Sequence, residues 1–200
     1  MKNTENISGI ILCGGKSKRM GKNKALLMLE EKHVIAYVIE LLAQLCNNLL
    51  ISTNSKDLDF LKIKTVPDEF QNIGPIAGIL SALKQSKTDK NIILSCDTPF
   101  INKDIVKYML ANSKNYDVVL PVFNEHLQPM TGIFSKNIIP LIENEIKAGN
   151  FIPPRIFEKG NLNKLKIDKN LKGWHKHLFF NINNPTDYEK AKEIIKNISG

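Results

Sequence analysis

The sequence is poor in arginine, aromatic residues and paired cysteines, and it has no long apolar run. Only Arg19 and Arg155 among 28 basic residues are arginine, and the lysines are scattered among Asn and Ile although the net charge is +8. A nucleic-acid footprint is a basic stripe with stacking aromatics interleaved, whereas aromatics make up 7% of this chain. The balance speaks against a nucleic-acid-binding domain, which would bind with steep salt dependence and no need of a divalent ion. No apolar run approaches the ~20 residues of a membrane span, and the one after MKNTENIS is too short for a secretory core. The expectation is a cytoplasmic chain with neither membrane nor nucleic acid as partner. Cys13, Cys46 and Cys96 are widely spaced and form no CxxC pair, which leaves reduced structural thiols rather than a zinc or dithiol motif.

Two phosphate-binding signatures are also missing. The GK at Gly21 and Lys22 is followed by Asn23, so no Walker A motif exists, and GxGxxG does not occur. These absences count against a P-loop regulatory GTPase and a classical dinucleotide fold. No serine or cysteine nucleophile stands at readable spacing from a base. His175 and His177 in WHKH lack a third ligand at metal spacing, and His33 reads as surface. His126 and Met130, in NEHLQPMTG, lie between two expected strands, where a hairpin and a substrate-facing loop are both open.

What is present is an alternation. Ile7 to Cys13, Leu49 to Thr53, Ile63 to Val66 and Asn91 to Cys96 are short apolar runs rich in β-branched residues, the pattern of strands covered on both faces. Between them Val34, Ile35, Val38, Leu41, Leu42 and Leu45 follow helical spacing, as do Ile76, Ile79, Leu80 and Leu83 behind Gly74-Pro75. Ile105, Val106, Met109 and Leu110 form a third helix behind Asn102. Later, Val118 to Val122, Met130 to Phe134 and Leu178 to Ile182 read as strands, and Lys136 to Lys147 and Thr186 to Ile198 as helices. Residues 149–177 lack periodicity and are expected to form a mobile loop. No repeat or linker divides the 200 residues. The expected fold is α/β, a three-layer, mostly parallel sheet flanked by helices, in one domain.

In an open α/β sheet ligands bind beyond the carboxyl ends of the strands. The expected strands deliver Cys13-Gly14-Gly15 and a basic loop, Asn54, Asp68, Asp97-Thr98-Pro99, and Asn181 with Asn183 to that edge. Glycines let main-chain N–H groups approach a ligand, and Arg19 and Lys24 can neutralise a polyphosphate. One aspartate at the end of NIILSCD suffices for Mg²⁺, which takes few protein carboxylates and completes its shell with water and phosphate.

LCGGKSKRMGKNKALL, GPIAGILSAL, CDTPF and FFNINNPTDY resemble, in order and spacing, the blocks of the molybdenum cofactor guanylyltransferases, the MobA family, within a nucleotidyltransferase superfamily of Rossmann-like nucleotide-diphospho-sugar transferase fold. The likeness spans nearly the whole chain and implies a nucleotide-binding half over about 1–100 and an acceptor-binding half over about 101–200. It implies transfer of GMP from Mg²⁺-GTP to the terminal phosphate of molybdopterin or Mo-molybdopterin, with release of pyrophosphate. Carried over by motif, Leu12, Cys13, Gly14 and Gly15 would line the nucleotide and Lys24 would hold phosphates with Arg19. Asn54 and Asp68 would contact guanosine, Asp97 would bind Mg²⁺, and Asn181 and Asn183 would stand on the acceptor side. Other cofactor-biosynthesis proteins or molybdoenzyme chaperones are the implied protein partners. The chain departs from the pattern at Cys13, usually alanine, at Lys18, commonly arginine, at Asn23, usually aspartate, and at EEKHV, which lacks a glycine turn. Related alternatives are a pterin cytidylyltransferase or a sugar-phosphate nucleotidyltransferase. Asp68 favours guanine where it faces that base's N1 and N2 donors.

Overall fold

The computed structural model describes residues 6–14 and 23–199. The chain opens with β1 (Ile7–Leu12); a 3-10 turn at Lys24–Leu26 and a hairpin of β2 (Met28–Leu29) and β3 (Lys32–His33) lead into α1 (Val34–Ala43). Then come β4 (Asn48–Ser52), β5 (Lys64–Val66), α2 (Pro75–Gln85), β6 (Lys90–Ser95) and α3 (Lys103–Ala111). The later part supplies β7 (Val118–Phe123), β8 (His126–Leu127), β9 (Gly132–Ser135), α4 (Ile139–Lys147), α5 (Pro153–Phe157), β10 (Leu162–Ile167) and α6 (Pro185–Ser199).

The main sheet runs β10-β7-β9-β6-β1-β4-β5, with β8 added to β7. β1 pairs in parallel with β4 and β6, β4 with β5, and β7 with β10, while β9 runs antiparallel to β6 and β7. Along β1 the side chains alternate between two cores: Ile7 and Ile11 join one, Ile10 and Leu12 the other. This period of two is what a strand sandwiched between helical layers requires. One layer is α1 and α3, through Ile35, Val38, Leu42, Ile105, Val106 and Met109; the other is α2, α4 and α5, through Ile76, Ile79, Leu83, Ile142 and Phe157. A third, smaller cluster seats Ala191, Ile194 and Ile195 of α6 against Leu29, Val34, Phe100 and Ile182. No helix among the described residues is long and apolar enough to cross a membrane.

The expected strands and helices of the first half are present, and the mostly parallel three-layer architecture is as the sequence implies. Two expectations in the second half are corrected. Residues 149–177 contain α5 and β10, the latter paired in register with β7 from Leu162 opposite Val118 to Ile167 opposite Phe123. β10 reads LNKLKI because it is an edge strand with one solvated side, so it carries no continuous apolar run. Leu178 to Ile182 is not a strand: it begins inside a turn in which Leu178 N–H donates to the His175 carbonyl and Phe180 N–H to that of His177. Its apolar residues are buried in two different clusters, Leu178 and Phe179 under the sheet and Ile182 against α6, so the pattern reports burial without pairing. The NEHLQPMTG segment is a hairpin, turning at Asn124 (φ 48°) and Glu125 (φ 61°) between β7 and β8.

Gly132 is required by the antiparallel insertion of β9. A Cβ there would lie 2.4 Å from the Val119 carbonyl oxygen and 2.8 Å from Leu120 Cδ2. Gly132→Ala is expected to cost about 1–3 kcal/mol, the usual range for overpacking a close-packed contact, read in urea unfolding as a lower midpoint with unchanged slope.

Candidate active site

β1, β4 and β6 end level with one another, Leu12 opposite Ser52 on one side and Ser95 on the other. The ladder continues one residue further: Cys13 N–H donates to the Ser52 carbonyl at 2.8 Å, and Cys96 N–H to that of Leu12 at 3.1 Å. The chain builds outward from β1 through β4 and β5, then returns to place β6 on the other flank. The carboxyl ends of β1 and β6 therefore bracket the point where strand order reverses, and a crevice for a ligand opens at such a point.

Asp97 stands two residues beyond β6, in a turn closed by Thr98, whose Oγ1 donates to the Ser95 carbonyl at 2.8 Å. The Asp97 carbonyl accepts from Ile182 N–H at 3.0 Å, tying the turn to the segment before α6. Its carboxylate is buried, with Oδ2 paired to the Lys24 ammonium and Oδ1 accepting from Ser95 Oγ. Lys24 Nζ also lies 3.4 Å from Asn183 Oδ1. Asn23 positions the lysine, because its Oδ1 accepts from Ala25 N–H at 3.1 Å and so caps the 3-10 turn that carries Lys24. Asparagine does here the capping that aspartate would do. Asn183 is held by its own N–H, which donates to Asp187 Oδ2 at 3.0 Å in the first turn of α6.

A second group stands beyond β4 and β5. Asn54 and Asp68 bond reciprocally: Asn54 Nδ2 donates to Asp68 Oδ2 at 2.9 Å, and Asp68 N–H donates to Asn54 Oδ1 at 2.8 Å. Asp68 Oδ1 is buried and has no hydrogen-bond partner among the described residues. Burial pushes the Asp68 carboxyl above its ordinary value, with the Asn54 bond pulling the other way. Gly78 of α2 allows this approach, since a Cβ there would lie 3.2 Å from Asp68 Oδ1 and 2.5 Å from Ser52 Oγ. The second glycine of GPIAG thus has a steric cause.

The remaining candidates fall as follows. Leu12 is buried in the core facing α2, and its carbonyl receives Cys96 N–H. Cys13 is half-buried beside Cys96; the bond between the two thiols, followed by burial, holds the Cys13 thiol well above its ordinary value. Burial likewise pushes the Cys46 thiol up to about 12, so neither acts as a ready nucleophile. Gly14 is exposed, and a Cβ there would meet nothing within 4 Å among the described residues. Gly15 and Arg19 lie outside the described residues. Asn181 turns its Nδ2 to the Phe179 carbonyl at 3.1 Å. His175 is engaged with the Phe100 carbonyl at 3.1 Å through Nε2 and accepts at Nδ1 from His177 N–H. Ser95 was not among the candidates; its signal was the S-x-D spacing at the end of an apolar strand, which puts the hydroxyl on the same side as the carboxylate.

The surroundings of Lys24 Nζ test whether a divalent cation fits. A carboxylate oxygen and an amide oxygen converge there on one positive charge, and both are hard donors of the kind Mg²⁺ accepts. Among the described residues no group of three His, Cys, Asp or Glu could hold a metal ion. A cation at this point would therefore complete its shell with water and phosphate, the habit of Mg²⁺.

Comparisons with known proteins identify the family and the fold. The probable molybdenum cofactor guanylyltransferase of Carboxydothermus hydrogenoformans is 33% identical over 195 residues, covering 95% of this chain and 97% of its own. The molybdenum cofactor guanylyltransferase of Desulfosudis oleivorans is 30% identical over 196 residues, covering 95% and 96%. The crystal structure of molybdopterin-guanine dinucleotide biosynthesis protein A from Archaeoglobus fulgidus superposes with a TM-score of 0.80 over 95% of this chain and 99% of its own; at 23% identity it speaks for the fold. Residues 9–158 match the model of the MobA-like NTP transferase domain, so with the carboxyl end of β1 and the whole of α2 and β6 inside that span, the chain belongs to the MobA-like NTP transferase family.

Proposed function

We propose that this protein transfers GMP from Mg²⁺-GTP to the terminal phosphate of molybdopterin or Mo-molybdopterin, forming the guanine dinucleotide cofactor and pyrophosphate. The observation that carries the chemistry is the Lys24 ammonium held against Asp97 and Asn183 at the switch point of the sheet. Relatives named for the guanylyltransfer reaction, matched over nearly their whole length, support the choice of substrates.

In this reaction an oxygen of the acceptor phosphate forms a bond to the α-phosphorus of GTP, and the bond from that phosphorus to the bridging oxygen of pyrophosphate breaks. A phosphate monoester is already ionised at neutral pH, so the protein need supply no strong base. Its task is to bring two anions together and to receive the charge of the leaving pyrophosphate. Lys24 supplies a positive charge for the phosphates, which Arg19 and the N–H of Gly15 would join, while the exposed main chain at Gly14 admits them closely. A Mg²⁺ ion bound by Asp97 would add a Lewis acid at the triphosphate. Asn54 and Asp68 would receive the guanosine: a carboxylate offers about four acceptor positions, and Oδ2 has spent one on Asn54. Asn181 and Asn183 would face the acceptor. On this reading the nucleotide would lie on the half over about 1–100 and the acceptor on the half over about 101–200, both built on one continuous sheet.

Calorimetric titration with GTP, CTP, UTP and ATP, with and without Mg²⁺, tests the assignment. GTP is expected to bind alone among the four with measurable affinity and to bind more tightly with Mg²⁺. Preference for CTP would move the product to the cytosine dinucleotide, and binding of none would sink the nucleotidyltransfer assignment for this site.

A further inference from the structure

We propose that Ser95 is a positioning residue that makes Asp97 a one-oxygen ligand and thereby sets the site's preference for small octahedral cations over Ca²⁺. The proposal rests on the assignment of Asp97 as the cation ligand. Ser95 is the last residue of β6, half-buried, and its hydroxyl donates to Asp97 Oδ1. Oδ2 is left to face the cationic position, where Lys24 Nζ now stands. Chelation by both oxygens would require the carboxylate to turn and give up the serine bond. Asp97 is 5% exposed, so water is poorly placed to replace that hydroxyl. The main chain is fixed as well, by Thr98 Oγ1 on the Ser95 carbonyl and by Ile182 N–H on that of Asp97. Rotation of the carboxylate therefore has no compensating movement of the turn.

The consequence is selective. Mg²⁺ and Mn²⁺ bind at short distances in octahedra and accept one oxygen from each carboxylate, whereas Ca²⁺ takes six to eight oxygens and commonly chelates a carboxylate through both. A hydroxyl on Oδ1 takes one of that oxygen's two acceptor positions and holds the carboxylate with Oδ2 towards the ion, which disfavours the two-oxygen chelate of Ca²⁺ and suits the smaller ion. Groups that hydrogen-bond a metal's ligand typically change its affinity by about 10–100-fold when removed.

The test is a pair of titrations of the full chain with a GTP analogue whose α,β-bridge is methylene, Mn²⁺ followed by paramagnetic resonance and Ca²⁺ by competition. Ser95→Ala is expected to weaken Mn²⁺ by about tenfold while Ca²⁺ holds or gains, so that the Mn²⁺ to Ca²⁺ affinity ratio falls at least about tenfold. Ser95→Thr, which keeps the hydroxyl, is expected to restore the ratio. Ser95→Cys, nearly the same size with a weak donor, is expected to fall between and serves if the alanine variant does not fold. An unchanged ratio in folded Ser95→Ala or Ser95→Cys would overturn the proposal. Asp97→Asn separates the two levels: unchanged Mn²⁺ binding there removes Asp97 as the ligand and Ser95 with it. Loss there beside an unchanged ratio in the serine variants removes the role of Ser95 alone.

Discussion

Lys24→Ala is expected to lower GMP transfer by at least about 100-fold, the scale for loss of one preorganised electrostatic group, while tightening divalent-cation binding to the nucleotide-free protein. The two effects have one cause. Without nucleotide the ammonium is the counter-ion of Asp97, with side-chain exposures of 20% and 7% for the pair, and it stands 3.4 Å from Asn183 Oδ1. Unit charges 4 Å apart exchange about 4 kcal/mol at an effective dielectric of 20, so a divalent ion approaching Asp97 must first displace or be repelled by the lysine. Removing the ammonium should tighten that binding at least about tenfold, since tenfold is only about 1.4 kcal/mol. With the triphosphate bound, its negative charge would be the better partner, and the lysine that had blocked the cation would then stabilise the leaving pyrophosphate. A purely structural ion pair makes a different prediction: a less stable fold, with turnover per folded molecule unchanged. Single-turnover rates on the purified variant and Mn²⁺ titration by paramagnetic resonance decide between them, and near-normal turnover would remove Lys24 from the chemistry.

The part of the molecule that could be read in the sequence is the part built from continuous apolar strands. β1 and β6 are buried on both faces, so their run ends mark the carboxyl edge of the sheet, and Asp97 and Cys13-Gly14 could be located there from ISGIILCGG and NIILSCD alone. β10 could not, because an edge strand with a solvated side reads LNKLKI. Leu178 to Ile182 misled for the opposite reason: apolar residues are spent there on filling two cores, and no strand forms. Within the site the same division holds. Lys24 and Asp97 are 73 residues apart, and their meeting follows from the switch-point topology, whereas the role of Asn183 as a neighbour of Lys24 depends on how α6 docks. The Asn54 and Asp68 pairing required the register of β4 and β5 and the close approach that Gly78 gives α2. Ser95 escaped notice because a serine ending a strand is chemically silent until its hydroxyl is seen to point at a carboxylate.

Asp97→Asn is expected to raise the divalent-ion concentration for half-maximal transfer at least about tenfold and to lower the rate at saturating ion by about 100-fold or more, because a charged hard ligand becomes a neutral one. The substitution preserves shape: the amide oxygen can keep the Ser95 hydroxyl, and the main-chain bond from Ile182 N–H at 3.0 Å is untouched. What changes is the atom facing Lys24, an acceptor oxygen replaced by a donor N–H₂. The lysine loses its counter-ion, and the carboxylate that had repelled a triphosphate is gone. Metal-free GTP is therefore expected to bind more tightly to the variant than to the native protein, even as catalysis collapses. That opposition of signs distinguishes a cation ligand from a residue that merely supports the fold, whose loss would weaken nucleotide binding and activity together. An unchanged ion requirement in the folded variant would place the cation elsewhere along the strand ends, and Asn183 would then be the next residue to replace.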